Sequence, residues 1–133
     1  MIQSIKSNTK FFVCTEIRKM LLGDEEISSL VGNRVFPIIA PEGTVGDYIV
    51  YIRDEYRISR TKQGIYDQSC TVFVSCVSSS YDNSQKLADA VFNCLDGRYS
   101  RSGKTIINSI EMVDSTENYA GDMYLQVLEF QIK

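Results

Sequence analysis

The segment Gly97-Arg98-Tyr99-Ser100-Arg101-Ser102-Gly103-Lys104-Thr105 comes nearest to a chemical motif, because it ends in the Gly-Lys-Thr of a phosphate-binding loop. Such a loop needs four residues between its glycines, so that successive backbone N–H groups curl around the phosphate oxygens. Five residues separate Gly97 from Gly103 here. The context is reversed as well: a phosphate loop leaves a strand and opens a helix, whereas this segment leaves an expected helix and enters an expected strand. No nucleotide or other cofactor is expected.

The chain has no histidine, which removes a Ser-His-Asp triad, a Cys-His pair and every histidine-containing zinc site. Its four cysteines are Cys14, Cys70, Cys76 and Cys94, with no CxxC pair among them. Cys70 and Cys76 fall on one expected strand, on the same face but roughly 20 Å apart by strand rise, too far to hold one ion together. Cys14 and Cys94 sit on apolar helical stripes, so all four read as buried structural thiols, and no metal site is expected. Two carboxylate pairs remain. Asp54-Glu55 lies in an expected strand, where neighbours project to opposite faces, and Glu25-Glu26 lies at a helix front, where the dipole favours acidic side chains. No residue is left as a catalytic candidate, and the chain reads as a non-enzyme. The eight tyrosines lack the basic interleaving of single-strand binding and read as core or interface aromatics.

Two basic clusters stand out instead. Arg57, Arg60 and Lys62 surround an expected hairpin turn, and Arg98, Arg101 and Lys104 fill the connection after the main helix. Both are candidate contacts to an acidic partner surface or to a passage for DNA.

The elements that would position these residues follow from periodicity. From Thr9 as N-cap, Val13, Cys14, Ile17, Met20 and Leu21 form a helical stripe stopped by Gly23. Asp24 caps a shorter helix through Val31, ended by Gly32-Asn33. Arg34-Val35-Phe36-Pro37 is a short extended piece, and residues 40–47 are a loop. Residues 48–59 read as a long strand, 60–66 as a polar turn and 67–78 as the returning strand. From Ser84 the stripe Leu87, Ala88, Val91, Phe92, Cys94 and Leu95 marks the clearest helix, stopped at Asp96-Gly97. Residues 105–114 and 123–132 form two more strands around a turn at 115–122. The expected fold is α+β, a four-stranded antiparallel sheet of ββαββ order with an N-terminal helix and one main helix packed on it.

Both strand faces carry large apolar residues: Val72, Val74 and Cys76 oppose Phe73 and Val77, and Leu128, Phe130 and Ile132 oppose Leu125 and Val127. A half-solvated antiparallel sheet alternates more cleanly. Phe73, Val77, Leu125 and Val127 are therefore the expected oligomer face, covered by another copy of the chain; the alternative places helices on both sides of the sheet.

With 133 residues, 44% hydrophobic and 23% charged, the chain has the size and balance of one globular domain spanning residues 1–133. The net charge of −3 gives no global attraction to nucleic acid or an anionic membrane. Its distribution is uneven: residues 53–104 hold eight basic and six acidic residues, and residues 105–133 one basic and five acidic. That polarity suits head-to-tail contact between copies. Residues 1–10 lack a secretory h-region, and no apolar run reaches membrane-spanning length, so synthesis in the cytosol with reduced thiols is expected.

The order and spacing of Leu30-Val31-Gly32-Asn33-Arg34-Val35-Phe36-Pro37, Ala40-Pro41-Glu42-Gly43 and Tyr48-Ile49-Val50-Tyr51 resemble the tail-completion, or tail terminator, proteins of tailed phages. The back half is similar too, with an apolar strand from Thr71 to Val77, a Ser80-Tyr81 turn and an alanine-containing helix from Leu87 to Leu95. The likeness runs from about residue 12 to 132. Asp47 stands where that family often has proline. The resemblance implies a virion protein that assembles as a ring, commonly a hexamer, on the head-proximal end of the tail tube. It would stop tube growth and present a surface to the neck (head-completion) protein, with the tube protein and its own copies as partners and DNA only passing through. The family has no catalytic residues to carry over. Competing expectations are a head-closure or neck protein of the virion, or a small cytosolic ligand-binding domain or enzyme.

Overall fold

A computed structural model describes residues 9–133. The reading of the chain start as lacking a signal rests mostly on residues 1–8, outside the described residues. Three helices and five strands follow in the order α1 (Val13–Leu22), α2 (Glu25–Val31), β1 (Val35–Pro37), β2 (Tyr48–Thr61), β3 (Gly64–Ser78), α3 (Tyr81–Leu95), β4 (Ile110–Ala120) and β5 (Met123–Ile132). The strands form one sheet of order β1-β2-β3-β5-β4.

The expected four antiparallel strands are therefore part of a five-stranded mixed sheet. The short piece around Val35 pairs parallel with β2, Val35 opposite Ile49 and Pro37 opposite Tyr51. A proline is tolerated at this outer edge, where no further strand calls on its missing N–H.

Local chemistry sets the element ends. Asp24 accepts from the Ile27 N–H at 3.0 Å and caps α2, and Ser80 accepts from the Asn83 N–H at 3.3 Å and caps α3. Thr9 does not cap α1: the helix begins after Phe12 with no side-chain cap, and the Thr9 carbonyl accepts from the Thr105 hydroxyl at 2.6 Å. The hairpin turn expected over residues 60–66 shrinks to two residues, because Thr61 pairs with Gly64. Likewise the polar run 115–118, expected as a turn, continues β4, and the chain reverses only at Gly121 (φ 59°) and Asp122 (φ 63°). Two successive positive φ angles give the mirror-image turn that matches strand twist.

The core lies on one side of the sheet. Ile49 and Tyr51, Cys70, Val72, Val74 and Cys76, and Leu128, Phe130 and Ile132 all point to the face covered by Ile17 and Leu21 of α1, Ile27 and Val31 of α2, and Leu87 and Val91 of α3. The three helices also touch one another, so they make a single layer. Helices on both sides are thereby excluded among the described residues, none of whose other elements covers the second sheet face.

Candidate functional site

That uncovered face is where the expected oligomer residues lie. Phe73, Leu125 and Val127 are half-buried, while Val77 is buried within the chain itself. Tyr48, Val50 and Ile52 extend the apolar strip onto β2, and Ile52 is exposed. Toward β4 the strip meets acid. Glu111 pairs with Gln131, and after a register shift between Met112 and Asp114 the latter pairs directly with Glu129. Like charges directly opposite on neighbouring strands repel. None of these three carboxylates has an ion-pair partner among the described residues. Phe73, Val127, Asp114 and Glu129, with Ser115 and Thr116, line a dent of about 90 Å³. This volume is well below the 300 Å³ or more of a small-molecule pocket. This acidic rim is not legible from the order of residues, because the Asp114–Glu129 pairing depends on the bulge.

The two basic clusters, far apart in sequence, come to one end of the sheet. β2 runs toward that end and β3 back from it, while α3 delivers the connection 96–109 to the same end, where Gly97 N–H donates to the Ile110 carbonyl at 2.7 Å. The β2–β3 hairpin continues past the last β3–β5 pair at Cys70 and Ile132 as a two-stranded arm. Six further β3 residues, at 3.3–3.4 Å each, carry the arm roughly 20 Å beyond the sheet. It bears Arg57, Arg60 and Lys62, together with the exposed Ile58 and Ile65. Arg57 forms an ion pair with Glu55 at 2.8 Å, whereas Arg60 and Lys62 have no ion-pair partner among the described residues.

In the second cluster, the Lys104 ammonium stands 5.5 Å from the Phe12 ring centre, Arg101 lies over Tyr99, and Arg98 donates to the Cys94 carbonyl at 3.3 Å. With Lys19, Met20 and the buried Glu16, Arg98 and Arg101 line an open groove of about 740 Å³.

The loop that resembles a phosphate site is filled from within. The Lys104 N–H donates to the Glu16 carboxylate at 3.1 Å, and Gly103 (φ 103°) rests so close to that carboxylate that a Cβ there would overlap it. A protein anion thus occupies the backbone donor a phosphate would use.

Other groups are shifted by burial and by hydrogen bonding. Burial raises the thiols of Cys14, Cys70 and Cys94 to about 11 and that of Cys76 further. Burial also lowers Lys10, whose ammonium donates to the Ile106 carbonyl at 2.9 Å. At the opposite end of the sheet, Glu117 accepts from Tyr81 at 2.6 Å and from Gln126 at 2.7 Å. These bonds hold its carboxyl below the usual range and raise the Tyr81 phenol. Among the described residues no three His, Cys, Asp or Glu side chains converge as a metal site, and no buried side-chain polar atom lacks a partner. No helix among the described residues is long and apolar enough to cross a membrane.

No family model matches the chain, and no curated protein matches its sequence. Among solved structures, its fold is similar to that of a chain in the virion of a native gene transfer agent particle. The TM-score is 0.73 at 17% identity, covering 87% of this chain and 89% of that one. At this identity the likeness establishes a shared fold.

Proposed function

We propose that the chain is a structural subunit of a phage-like virion, acting as a closed ring of six copies on the head-proximal end of a tail tube. The ring ends tube growth and joins tail to head, with DNA passing through its opening and no bond made or broken. The observation that carries this reading is the sheet face with no helix over it, where Phe73, Leu125 and Val127 are half-exposed in the single chain. An apolar face of this kind needs a partner, and a heterologous contact between identical copies closes into a ring when its rotation allows. Two further points support it: the resemblance of its motif order to that of tail terminators, and a fold shared with a chain of a virion particle.

Within this reading, Arg98, Arg101 and Lys104 face the tube. Reversing Arg98 and Lys104 to glutamate should abolish binding to isolated tubes and leave the ring intact; unchanged binding rejects that assignment. The function itself is tested by deleting the gene. Tails of uncontrolled length that fail to join heads are expected, and normal tails on normal virions contradict the proposal. Finding the protein on isolated heads and absent from isolated tails points to a head-closure subunit instead.

A further inference from the structure

We infer that the β2–β3 arm of one copy docks on the uncovered sheet face of the next, seating Arg60 and Lys62 against the rim formed by Asp114 and Glu129. The inference rests on the ring reading and names its interface. Three observations carry it.

The first is charge. Asp114 and Glu129 face each other across β4 and β5 without a counter-ion among the described residues. Repulsion of that kind is relieved by a cation placed between the two carboxylates. Arg60 and Lys62 are cations without an ion-pair partner among the described residues.

The second is shape. The dent of about 90 Å³ has the Phe73 and Val127 side chains beside the two carboxylates. A long basic side chain matches this lining, with its aliphatic stem on apolar surface and its charged head at the acidic edge. The arm also offers Ile58 and Ile65, 42% and 52% exposed, to the rest of the apolar strip.

The third is the arm itself. Past Cys70 it has lost β5 as a neighbour; its base is held within the chain by the Lys10 N–H donating to the Tyr56 hydroxyl at 2.8 Å, but its tip is a two-stranded ribbon, which alone is marginal in water. Packing on a second copy supplies the missing layer. Arm and rim lie at different places on the surface, so the contact is heterologous, as ring closure requires.

The test uses the full chain in two variants, Arg60→Glu/Lys62→Glu and Asp114→Lys/Glu129→Lys, followed by native mass spectrometry. Each alone places like charges at every interface and should shift assembly to monomer, by at least tenfold in the dissociation constant. Mixed, they should co-assemble into rings of even copy number that alternate the two chains, because one interface is then native and the other charge-swapped. The fourfold variant should also assemble, which separates loss of the interface from loss of folding. Variants that assemble like the native chain while the native chain forms rings overturn this interface and leave the ring reading standing. A mixture and a fourfold variant that both stay monomeric overturn it as well. A native chain that never leaves the monomer removes the ring reading, and this interface with it.

Discussion

The four thiols show how residue chemistry follows from placement. Burial pushes Cys14, Cys70 and Cys94 from 9.0 to about 11, and Cys76 further, so the folded chain holds these protons more tightly than the unfolded one. That contribution to stability is complete below pH 9 and fades as pH climbs toward 11. The Tyr81 phenol, raised by its bond to Glu117, acts in the same direction. Lys10, lowered by burial, acts in the opposite one, but it is a single group against four thiols. The urea midpoint should therefore fall between pH 8 and pH 10.5. Alkylation at pH 8 should be slow, with Cys14 the first to react because it alone is not fully buried. A second expectation concerns Gly103, whose φ of 103° and contact with Glu16 leave no room for a side chain. Gly103→Ala should lower stability by about 1–3 kcal/mol, read from denaturant titration. The burial of Cys70, Cys76 and Cys94 was legible in the sequence, Cys94 from its place on an apolar helical stripe, and so was the departure of the Gly97–Gly103 loop from phosphate-loop spacing; Cys14, expected buried, is only partly so. Glu16 as the occupant of that loop was not, because it is 88 residues away from Lys104.

Elements with strong periodicity were the most legible. α3 carries its stripe on one side, and β5 alternates along its length, so both lie close to their expected ranges. Phe130 stands fully buried in that alternation, and Phe130→Ala should cost about 3–5 kcal/mol, measurable as a lowered urea midpoint. β4 was misread for a physical reason. Its run Asp114-Ser115-Thr116-Glu117-Asn118 is polar because both faces of this edge strand are exposed, and polarity at an edge looks like a turn in sequence. The parallel pairing of β1 was equally invisible, since three residues carry too little pattern to name a neighbour. The β2–β3 arm was shortened in the sequence reading by its charged tip. If its role is contact between copies, replacing residues 59–67 with a two-residue Asn-Gly turn, which joins the paired Ile58 and Gln68 in register, should leave the melting temperature of the monomer nearly unchanged and remove assembly.

At the scale of the whole molecule, the chain has two inequivalent surfaces: a helix layer that completes its core, and a bare sheet face with an apolar strip and an acidic rim. Its two basic clusters gather at one end of the strands, on the arm and on the connection 96–109. Such a body has directions, which a subunit of a closed, polar assembly needs and a symmetric dimer does not. The uneven charge and two-faced strands were visible in sequence, whereas their convergence at one end required the topology. Contacts between arm and rim are electrostatic at their edge, so assembly should weaken as salt rises from 0.05 to about 0.5 M, over which the screening length drops several-fold. Identical copies are proposed to close on one another through the bare sheet face. Native mass spectrometry of the purified full chain, paired with negative-stain images of the same sample, tests this closure most directly. A discrete annulus of six copies is the expected result, and a monomer at every concentration up to the millimolar range contradicts the account.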